Sequence, residues 1–160
     1  MNESERGLVS REGGERSRAA RAYLVGLTLH GIKLGFDNID LLLDAAGNPH
    51  RALPALHVAG TNGKGSVVAM ADAILRAAGY SVCRFTSPHL LDLRERFLHN
   101  GQPIPEDALV EQIEFFQRAA ASMDPPPTFF ELCTAVAFRS FAQCRADVSV
   151  VEVGMGGRLD

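Results

Sequence analysis

Residues 57–66 combine the residue types that hold a nucleoside triphosphate. They read His-Val-Ala-Gly-Thr-Asn-Gly-Lys-Gly-Ser, so positions 60–65 contain three glycines and one lysine, followed by a serine. Glycines let backbone N–H groups approach phosphate oxygens without a clash at Cβ. Lys64 adds a full positive charge, and Ser66 offers a hydroxyl to Mg²⁺. A helix that follows would point its positive N-terminus at the same place, so this segment predicts a phosphate-binding loop.

The spacing of this loop differs from the general Walker A pattern G-x-x-x-x-G-K-[ST]. Only two residues separate Gly60 from Gly63, and Gly65 stands between Lys64 and Ser66. The order of strand, turn, lysine, hydroxyl and helix is nevertheless kept. The chain has two lysines against fourteen arginines, and one of the two stands here. The alternative interpretation is a glycine-rich turn between a strand and a helix, with a solvated lysine.

The composition of the 160-residue chain favours one globular domain without a nucleic-acid or membrane partner. Hydrophobic residues make up 46% of the chain, and the net charge is −3 without a long basic run. No apolar stretch approaches the roughly 18 residues that span a bilayer. Residues 1–17 are charged and lack an apolar segment, so we expect a disordered lead-in rather than a targeting signal.

The three cysteines, Cys83, Cys133 and Cys144, have neither metal-binding nor redox spacing. Each falls in an apolar segment, which predicts a buried thiol. Because free thiols are typical of a reducing compartment, we expect a cytoplasmic protein.

Hydrophobic periodicity and turn residues predict helices that alternate with short strands. Asn100-Gly101 predicts a hairpin turn. The alternation is typical of a parallel α/β sheet with right-handed crossovers. Because the chain ends in a glycine-rich loop directly after a strand, we expect a fragment. The predicted helices are 18–29 (with Ser17 as N-cap), 37–46, 64–79, 105–122 and 128–145, and the predicted buried strands are 54–59, 80–86 and 148–153.

The segment Gly60–Ser66 resembles the phosphate loop of the Mur ligase superfamily and, within it, of folylpolyglutamate synthase/dihydrofolate synthase. The resemblance runs from about Tyr23 to Asp160 and departs mildly at Phe36, Val67 and Met155. Several blocks in the right order are more specific than any one of them. The further blocks are Gly31-Ile-Lys-Leu-Gly-Phe36, Thr86-Ser-Pro-His-Leu90, Glu95-Arg-Phe97, Thr128-Phe-Phe-Glu131 and Glu152-Val-Gly-Met-Gly-Gly-Arg-Leu-Asp160.

The resemblance implies a P-loop parallel sheet with flanking helices, the central ATPase domain of a Mur-type ligase. Residues 18–160 would form this ATP-binding domain in incomplete form, and the C-terminal glutamate-binding domain would be absent. The family reaction is ATP-dependent amide formation, in which an acyl phosphate forms and the amine of L-glutamate attacks it. The substrates implied are 7,8-dihydropteroate and folate polyglutamates, and we expect a monomer.

The resemblance also assigns roles to residues. Lys64 would be catalytic and contact the β- and γ-phosphates, and Ser87 and Glu152 would ligate Mg²⁺. The residues implied to bind ATP are Thr61, Asn62, Gly63, Lys64, Gly65 and Ser66. The residues implied to contact the pteroate are Ile32, Lys33, Leu34, Thr128, Phe129, Phe130 and Glu131.

Each of these roles has a structural alternative. Glu152 could be a strand carboxylate in a salt bridge, and Ser87 a turn hydroxyl before a proline. Thr128 and Glu131 fit a capping box with the two phenylalanines in the core. The turn at 32–34 could simply break a helix and expose a lysine.

Four further interpretations stay open. His57 is expected to be structural within a buried strand. Arg94 and Arg96 could attract an anionic substrate or belong to a solvated charged loop. Residues 150–157 also resemble the E-x-G-x-G loop of S-adenosylmethionine methyltransferases. A non-catalytic ATP-binding fragment is the other alternative, because the chain has no lysine after Lys64 to match the carboxylated lysine of the family.

Overall fold

The computed structural model describes residues 3–31 and 35–158, without the side chains of residues 3–11 and His30. The described residues form five α-helices and one five-stranded sheet. The helices are α1 (Glu3–Gly26), α2 (Asp37–Ala45), α3 (Lys64–Ala77), α4 (Glu106–Ala119) and α5 (Phe129–Cys144). The strands are β1 (Ala55–Val58), β2 (Val82–Phe85), β3 (Phe97–His99), β4 (Gln102–Pro103) and β5 (Val148–Glu152).

The sheet has the strand order β1-β5-β2-β3-β4. β5 pairs in parallel with β1 on one side and with β2 on the other. β3 and β4 extend the sheet as antiparallel strands. The predicted α/β class with a parallel sheet is confirmed, and the hairpin adds an antiparallel edge.

The local signals in the sequence account for several of these boundaries. Asn100 and Gly101 both have positive φ, 50° and 77°, as the predicted two-residue hairpin turn requires. α3 ends at Ala77, two residues before the predicted end at Gly79, which has φ 91°. The N–H groups of Gly79 and Tyr80 bond back to the carbonyls of Arg76 and Leu75, and these bonds close the helix.

Helices cover both faces of the sheet. α5 lies on one face together with α1, α2 and α4, and this side holds the main core, which includes the fully buried rings of Phe85, Phe97, Phe116 and Phe141. α3 covers the other face through a small cluster of Val68, Val82 and Val150. These layers hold the carboxyl ends of β1, β5 and β2 together at one edge of the sheet.

The first helix differs from the prediction. It begins at Glu3 rather than after Ser17, so the expected disordered lead-in is helical in the structure. Arg16 and Ser17 lie within the helix and hydrogen-bond the carboxylates of Glu114 and Glu106 on α4. These contacts to a neighbouring helix are tertiary, and a propensity argument on residues 1–17 alone does not include them.

The predicted burial of β1 was wrong. Leu56 is 46% exposed and His57 is exposed as well, because β1 lies at the edge of the sheet in the described chain. The apolar side chains of α3 are likewise covered only in part: Val68 is buried, whereas Val67 and Ile74 are exposed. A run of apolar residues signals a strand or a helix but does not say how much of it is covered.

None of the described helices is long and apolar enough to cross a membrane.

Candidate functional site

Three chain segments meet where β1, β5 and β2 end. The glycine-rich loop follows β1, Val153-Gly154 follows β5, and Thr86-Ser87 follows β2. The three strands are parallel neighbours, so these segments lie at the same edge of the sheet. Ligands of open α/β sheets bind at this edge.

The glycine-rich loop is open to a ligand. Gly60 and Gly63 have φ of 149° and 77°, a range that favours glycine, and Gly63 is the N-cap of α3. Within the described chain no side chain caps this helix, so its first N–H groups point toward the loop without a side-chain acceptor. The loop residues Thr61, Asn62, Gly63, Gly65 and Ser66 are exposed. An anion is the ligand that such a helix start favours.

Lys64 closes the loop on itself. Its Nζ donates a hydrogen bond of 3.0 Å to the carbonyl oxygen of Gly60. The ammonium is therefore held over the mouth of the loop and keeps two further N–H donors for a ligand. The predicted phosphate loop thus has its lysine, its glycines and its helix start in one place.

Glu152 connects the loop to the end of β2. Its side chain is buried, with 5% of its surface exposed. Oε2 accepts a hydrogen bond of 3.1 Å from the backbone N–H of Ser87, and both carboxylate oxygens lie within 3.9 Å of the point where a Cβ on Gly65 would stand. The two residues expected to ligate Mg²⁺ are therefore neighbours, beside the loop.

The alternative for Glu152, a salt bridge at the strand end, is not what the structure shows. Among the described residues Glu152 has no cation within salt-bridge distance, and its hydrogen-bond donor is a backbone N–H. A buried carboxylate with one such donor keeps unused acceptor capacity. This is the property that a cation ligand needs.

The segment Thr128–Glu131 forms the predicted capping box. Glu131 N–H donates to Oγ1 of Thr128 at 3.2 Å, and Thr128 N–H donates to Oε2 of Glu131 at 2.7 Å. Both side chains are buried, so little of their surface is available to contact a ligand directly. The cap starts α5 with Phe129 and Phe130 in its first turn.

Phe130 packs against the loop that follows β5. A Cβ on Gly154 would lie 2.5 Å from Cζ of Phe130, so the ring occupies the space that any other residue at 154 would need. The ring also lies 5.9 Å from the ring of Phe85, centroid to centroid. Phe130 thus belongs partly to the core and partly to the wall beside Glu152.

The sequence left two interpretations for Arg96, attraction of an anionic substrate or a place in a solvated loop. In the structure Arg96 is buried. The side chain is buried with 6% exposed, its Nε lies 2.9 Å from Nδ1 of His89, and its guanidinium lies over the ring of Phe129 at 5.2 Å. Burial lowers the pKa of Arg96, and the nearby side chains of Cys133 and Glu152 oppose this shift. The pKa of His89 is lowered as well, mainly by burial and then by Arg96.

Arg94, by contrast, has the solvated role. Its guanidinium pairs with Asp92 at 2.8 Å and with Glu106 at 3.3 Å at the surface. The loop that carries both arginines is shaped by Glu95, whose carboxylate accepts the N–H groups of Leu90, Leu91 and Asp92. This loop directs Arg94 to surface carboxylates and Arg96 into the interior, a difference that the sequence spacing of the two arginines does not predict.

The expected pteroate residues Ile32, Lys33 and Leu34 lie outside the described residues. α2 starts shortly after them, and Asn38 on that helix donates hydrogen bonds to the carbonyls of Pro125 and Pro126 at 3.4 and 3.2 Å. These two hydrogen bonds connect the start of α2 to the proline-rich segment that precedes the capping box.

Comparison with characterised sequences finds homologues along most of the chain. A probable bifunctional folylpolyglutamate synthase/dihydropteroate synthase from Haloferax volcanii is 43% identical over 141 residues, which are 86% of this chain and 17% of the relative. Dihydrofolate synthase/folylpolyglutamate synthase from Bacillus subtilis is 40% identical over 146 residues, 88% of this chain and 34% of the relative. No family model matches.

Solved structures agree with the sequence relatives. Folylpolyglutamate synthase from Thermotoga maritima has a TM-score of 0.82 at 41% identity, and the match covers 89% of this chain and 35% of that one. E. coli FolC in complex with DHPP and ADP has a TM-score of 0.81 at 37% identity and covers 88% and 34%. The chain therefore spans about a third or less of the length of these relatives.

Proposed function

Because this chain belongs to the folylpolyglutamate synthase/dihydrofolate synthase family, we propose that it is the ATP-binding part of an ATP-dependent ligase. The complete protein joins L-glutamate to 7,8-dihydropteroate, to folate polyglutamates, or to both. The observation that carries the proposal is the meeting of the Lys64 loop, Gly65, Ser87 and Glu152 at one edge of the sheet. A glycine-rich turn with a solvated lysine would not need a buried carboxylate beside it.

The triphosphate of ATP lies along the loop Thr61–Ser66 in this proposal. Backbone N–H groups at the start of α3 and the ammonium of Lys64 face the phosphates, and their combined positive potential favours a polyanion. The open, exposed loop supports this placement, as does the ADP in the homologous FolC complex. Lys64 is the residue we assign to charge neutralisation during phosphoryl transfer.

The residues beside the loop fit a magnesium ion. Mg²⁺ prefers oxygen ligands and is usually held by one or two protein groups together with substrate phosphates. Glu152 offers a buried carboxylate with free acceptor capacity. Ser87, whose backbone N–H already donates to this carboxylate, offers a half-buried hydroxyl. Bound Mg²⁺ would neutralise phosphate charge at this point. We therefore assign Glu152 and Ser87 as its protein ligands.

The reaction proceeds in two steps in this proposal. The γ-phosphoryl group of ATP passes to a carboxylate oxygen of the pteroate or folate, giving an acyl phosphate and ADP. The amine of L-glutamate then attacks the acyl carbon, inorganic phosphate leaves, and the amine gives up a proton as the amide forms. The protein contributes chiefly by positioning the reactants and offsetting charge.

The pteroate surface is assigned to the first turn of α5 and to residues 32–34. Phe129 is half-buried and has Arg96 on its face, so an aromatic and a cationic group stand together near Glu152. A flat pterin or benzoyl group can pack on the exposed part of such a ring. Thr128 and Glu131 support this surface through the capping box, which sets the direction of α5.

The proposal includes the organisation of the protein. Residues 18–160 form the ATP-binding part, and the glutamate-binding domain belongs to the continuation of the reading frame. We place a monomeric protein in the cytoplasm, with neither nucleic acid nor membrane as a partner. Three free thiols support the reducing compartment, and the net charge of −3 supports the absence of a nucleic-acid partner.

The experiment that tests the function uses the complete protein with MgATP and labelled L-glutamate. Dihydropteroate and tetrahydrofolate are supplied in separate reactions, and label incorporated into a folate product is measured. Incorporation that depends on ATP with one or both acceptors is the expected result. Binding of ATP without incorporation for either acceptor would favour the non-catalytic alternative and overturn the ligase proposal.

A further inference from the structure

Two cysteines and a histidine that are far apart in the sequence come together at the start of β2. One ligand atom from each of Cys83, His99 and Cys144 lies within 4.8 Å of the other two. Cys83 and His99 face each other directly across the antiparallel pair of β2 and β3, so their side chains share one face of the sheet. Cys144 is the last residue of α5, the helix that packs on that face.

We propose that Cys83, His99 and Cys144 form a binding site for Zn²⁺, with two thiolates and one imidazole as ligands. This residue set suits zinc, which binds cysteine sulfur and histidine nitrogen in tetrahedral geometry. At a Zn–S distance of about 2.3 Å, two sulfurs of a tetrahedral site are roughly 3.8 Å apart. The ligand atoms therefore need to move together by about 1 Å or less, which small side-chain rotations provide.

The backbone around the three residues is held firmly. Ser81 and Asp147 bond reciprocally, since Ser81 N–H donates to Oδ2 of Asp147 at 2.8 Å and Asp147 N–H donates to the Ser81 carbonyl at 2.9 Å. This pair fixes the segment after Cys144 beside the start of β2. On the other side Val82 N–H donates to Oδ1 of Asn100 at 2.8 Å and fixes the hairpin. A site built from three elements has its parts already in place.

The histidine ring has a partner of the kind that orients a metal ligand. Oγ of Ser81 lies 3.0 Å from Nε2 of His99 and can accept the N–H of that nitrogen when Nδ1 binds the metal. Such a contact to the second ring nitrogen sets the plane of a metal-binding histidine. Ser81 thus acts as a positioning residue for the proposed site.

The electrostatic surroundings favour a cation. Cys144 stands at the C-terminal end of α5, where the unpaired carbonyls carry partial negative charge. Arg76 is nearby, but its guanidinium is paired with the buried carboxylate of Asp72 at 3.2 Å.

A fourth ligand can reach the metal from outside. Cys83 is fully buried, whereas His99 and Cys144 are partly exposed. A water molecule from solvent therefore completes four-coordination at the partly exposed side of the site, and the two thiol protons pass to solvent when the metal binds. The zinc site lies at the start of β2, whereas the phosphate loop lies at the carboxyl ends of the parallel strands. The zinc site is therefore independent of the proposed ligase chemistry.

The test is a titration of the reduced, metal-free full chain with Co²⁺, followed by displacement with Zn²⁺. Thiolate ligands give a sulfur-to-cobalt charge-transfer band, and tetrahedral geometry gives intense visible bands. We expect both bands to saturate at one equivalent of Co²⁺ and to disappear on addition of Zn²⁺. A chain that shows no thiolate band, or binds no metal at one equivalent, overturns the proposal.

Variants identify the ligands. Cys144→Ser and His99→Gln change partly exposed residues, so they leave the buried Cys83 in place, and circular dichroism checks that they fold. We expect each variant to weaken Zn²⁺ affinity by roughly 100-fold or more. A residue that only orients a ligand usually costs about 10- to 100-fold, so a loss of this size indicates a direct ligand. Cys133→Ala and His57→Gln are matched controls that should bind as the parent does. Parent-like affinity in Cys144→Ser or His99→Gln, or an equal loss in the controls, contradicts the assignment.

Discussion

The backbone N–H of Ser87 donates a hydrogen bond of 3.1 Å to the carboxylate of Glu152, which joins the ends of β2 and β5. The same carboxylate lies against Gly65 at the start of α3. The end of β2, the end of β5 and the start of α3 thus all lie beside the buried carboxylate of Glu152. A cation bound at Glu152 would be in reach of phosphates held by the loop.

Glu152→Gln in the complete protein should raise the Mg²⁺ concentration needed for half-maximal ATP turnover by roughly ten-fold or more. The amide keeps the size and can still accept the Ser87 N–H, but it loses the negative charge that holds the ion. The measurement is phosphate release against Mg²⁺ concentration. Glu111→Gln, the same change at an exposed position on α4, is the control. An unchanged Mg²⁺ titration in Glu152→Gln would argue against its ligand role.

Gly154→Ala should destabilise the fold by about 1–3 kcal/mol, the usual cost of forcing an extra methyl group into a packed region. The added Cβ would meet Cζ of Phe130 at 2.5 Å. Urea unfolding measures the change. Gly13→Ala on α1 is the matched control, because no atom of the described residues lies within 4 Å of its Cβ position. The control should be neutral or more stable by up to about 1 kcal/mol. Equal stability of Gly154→Ala and the parent would mean that the Phe130 contact is not as described.

Arg21→Gln should make the stability of the protein less dependent on pH in the acid range. Arg21 pairs with Glu106 at 2.7 Å and is the main cause of the lowered pKa of that carboxyl, ahead of Ser17. The depressed folded-state pKa stabilises the protein above the unfolded value of about 4.3, and this stabilisation is lost as pH falls through the folded value.

Urea unfolding between pH 7 and pH 3 measures this effect. The difference between parent and Arg21→Gln should be largest near pH 7, at most about 1 kcal/mol because the pair is partly exposed, and should shrink toward pH 3. Arg18→Gln changes an exposed arginine on the same helix and should follow the parent curve. A constant difference at every pH would show that Arg21 acts through packing and not through Glu106.

Local signals predicted much of the architecture. The hairpin at Asn100-Gly101, the capping box of Thr128 and Glu131 and the turn at Gly79 that follows α3 each depend on a backbone conformation or bond within a few residues. Such features can be read from short patterns. The order of the predicted strands and helices gave the α/β class for the same reason.

The remaining features depend on contacts between distant residues. Leu56 was expected to be buried and is exposed, because burial depends on what lies beside β1 and not on the apolar run itself. Arg96 is buried through His89 and Phe129, which lie on other elements. The grouping of Cys83 with Cys144 requires the end of α5 to meet the start of β2, and no spacing rule in the sequence describes that.

The central claim is that the loop around Lys64 binds and activates ATP, and Lys64→Ala in the complete protein tests it most directly. ATP-dependent phosphate release should fall by roughly 100-fold or more, since the only charged side chain of the loop is removed from the transferring group. Circular dichroism should show an unchanged fold, because the Nζ bond to Gly60 lies at the exposed loop. Phosphate release by a folded Lys64→Ala variant at the rate of the parent would contradict the account.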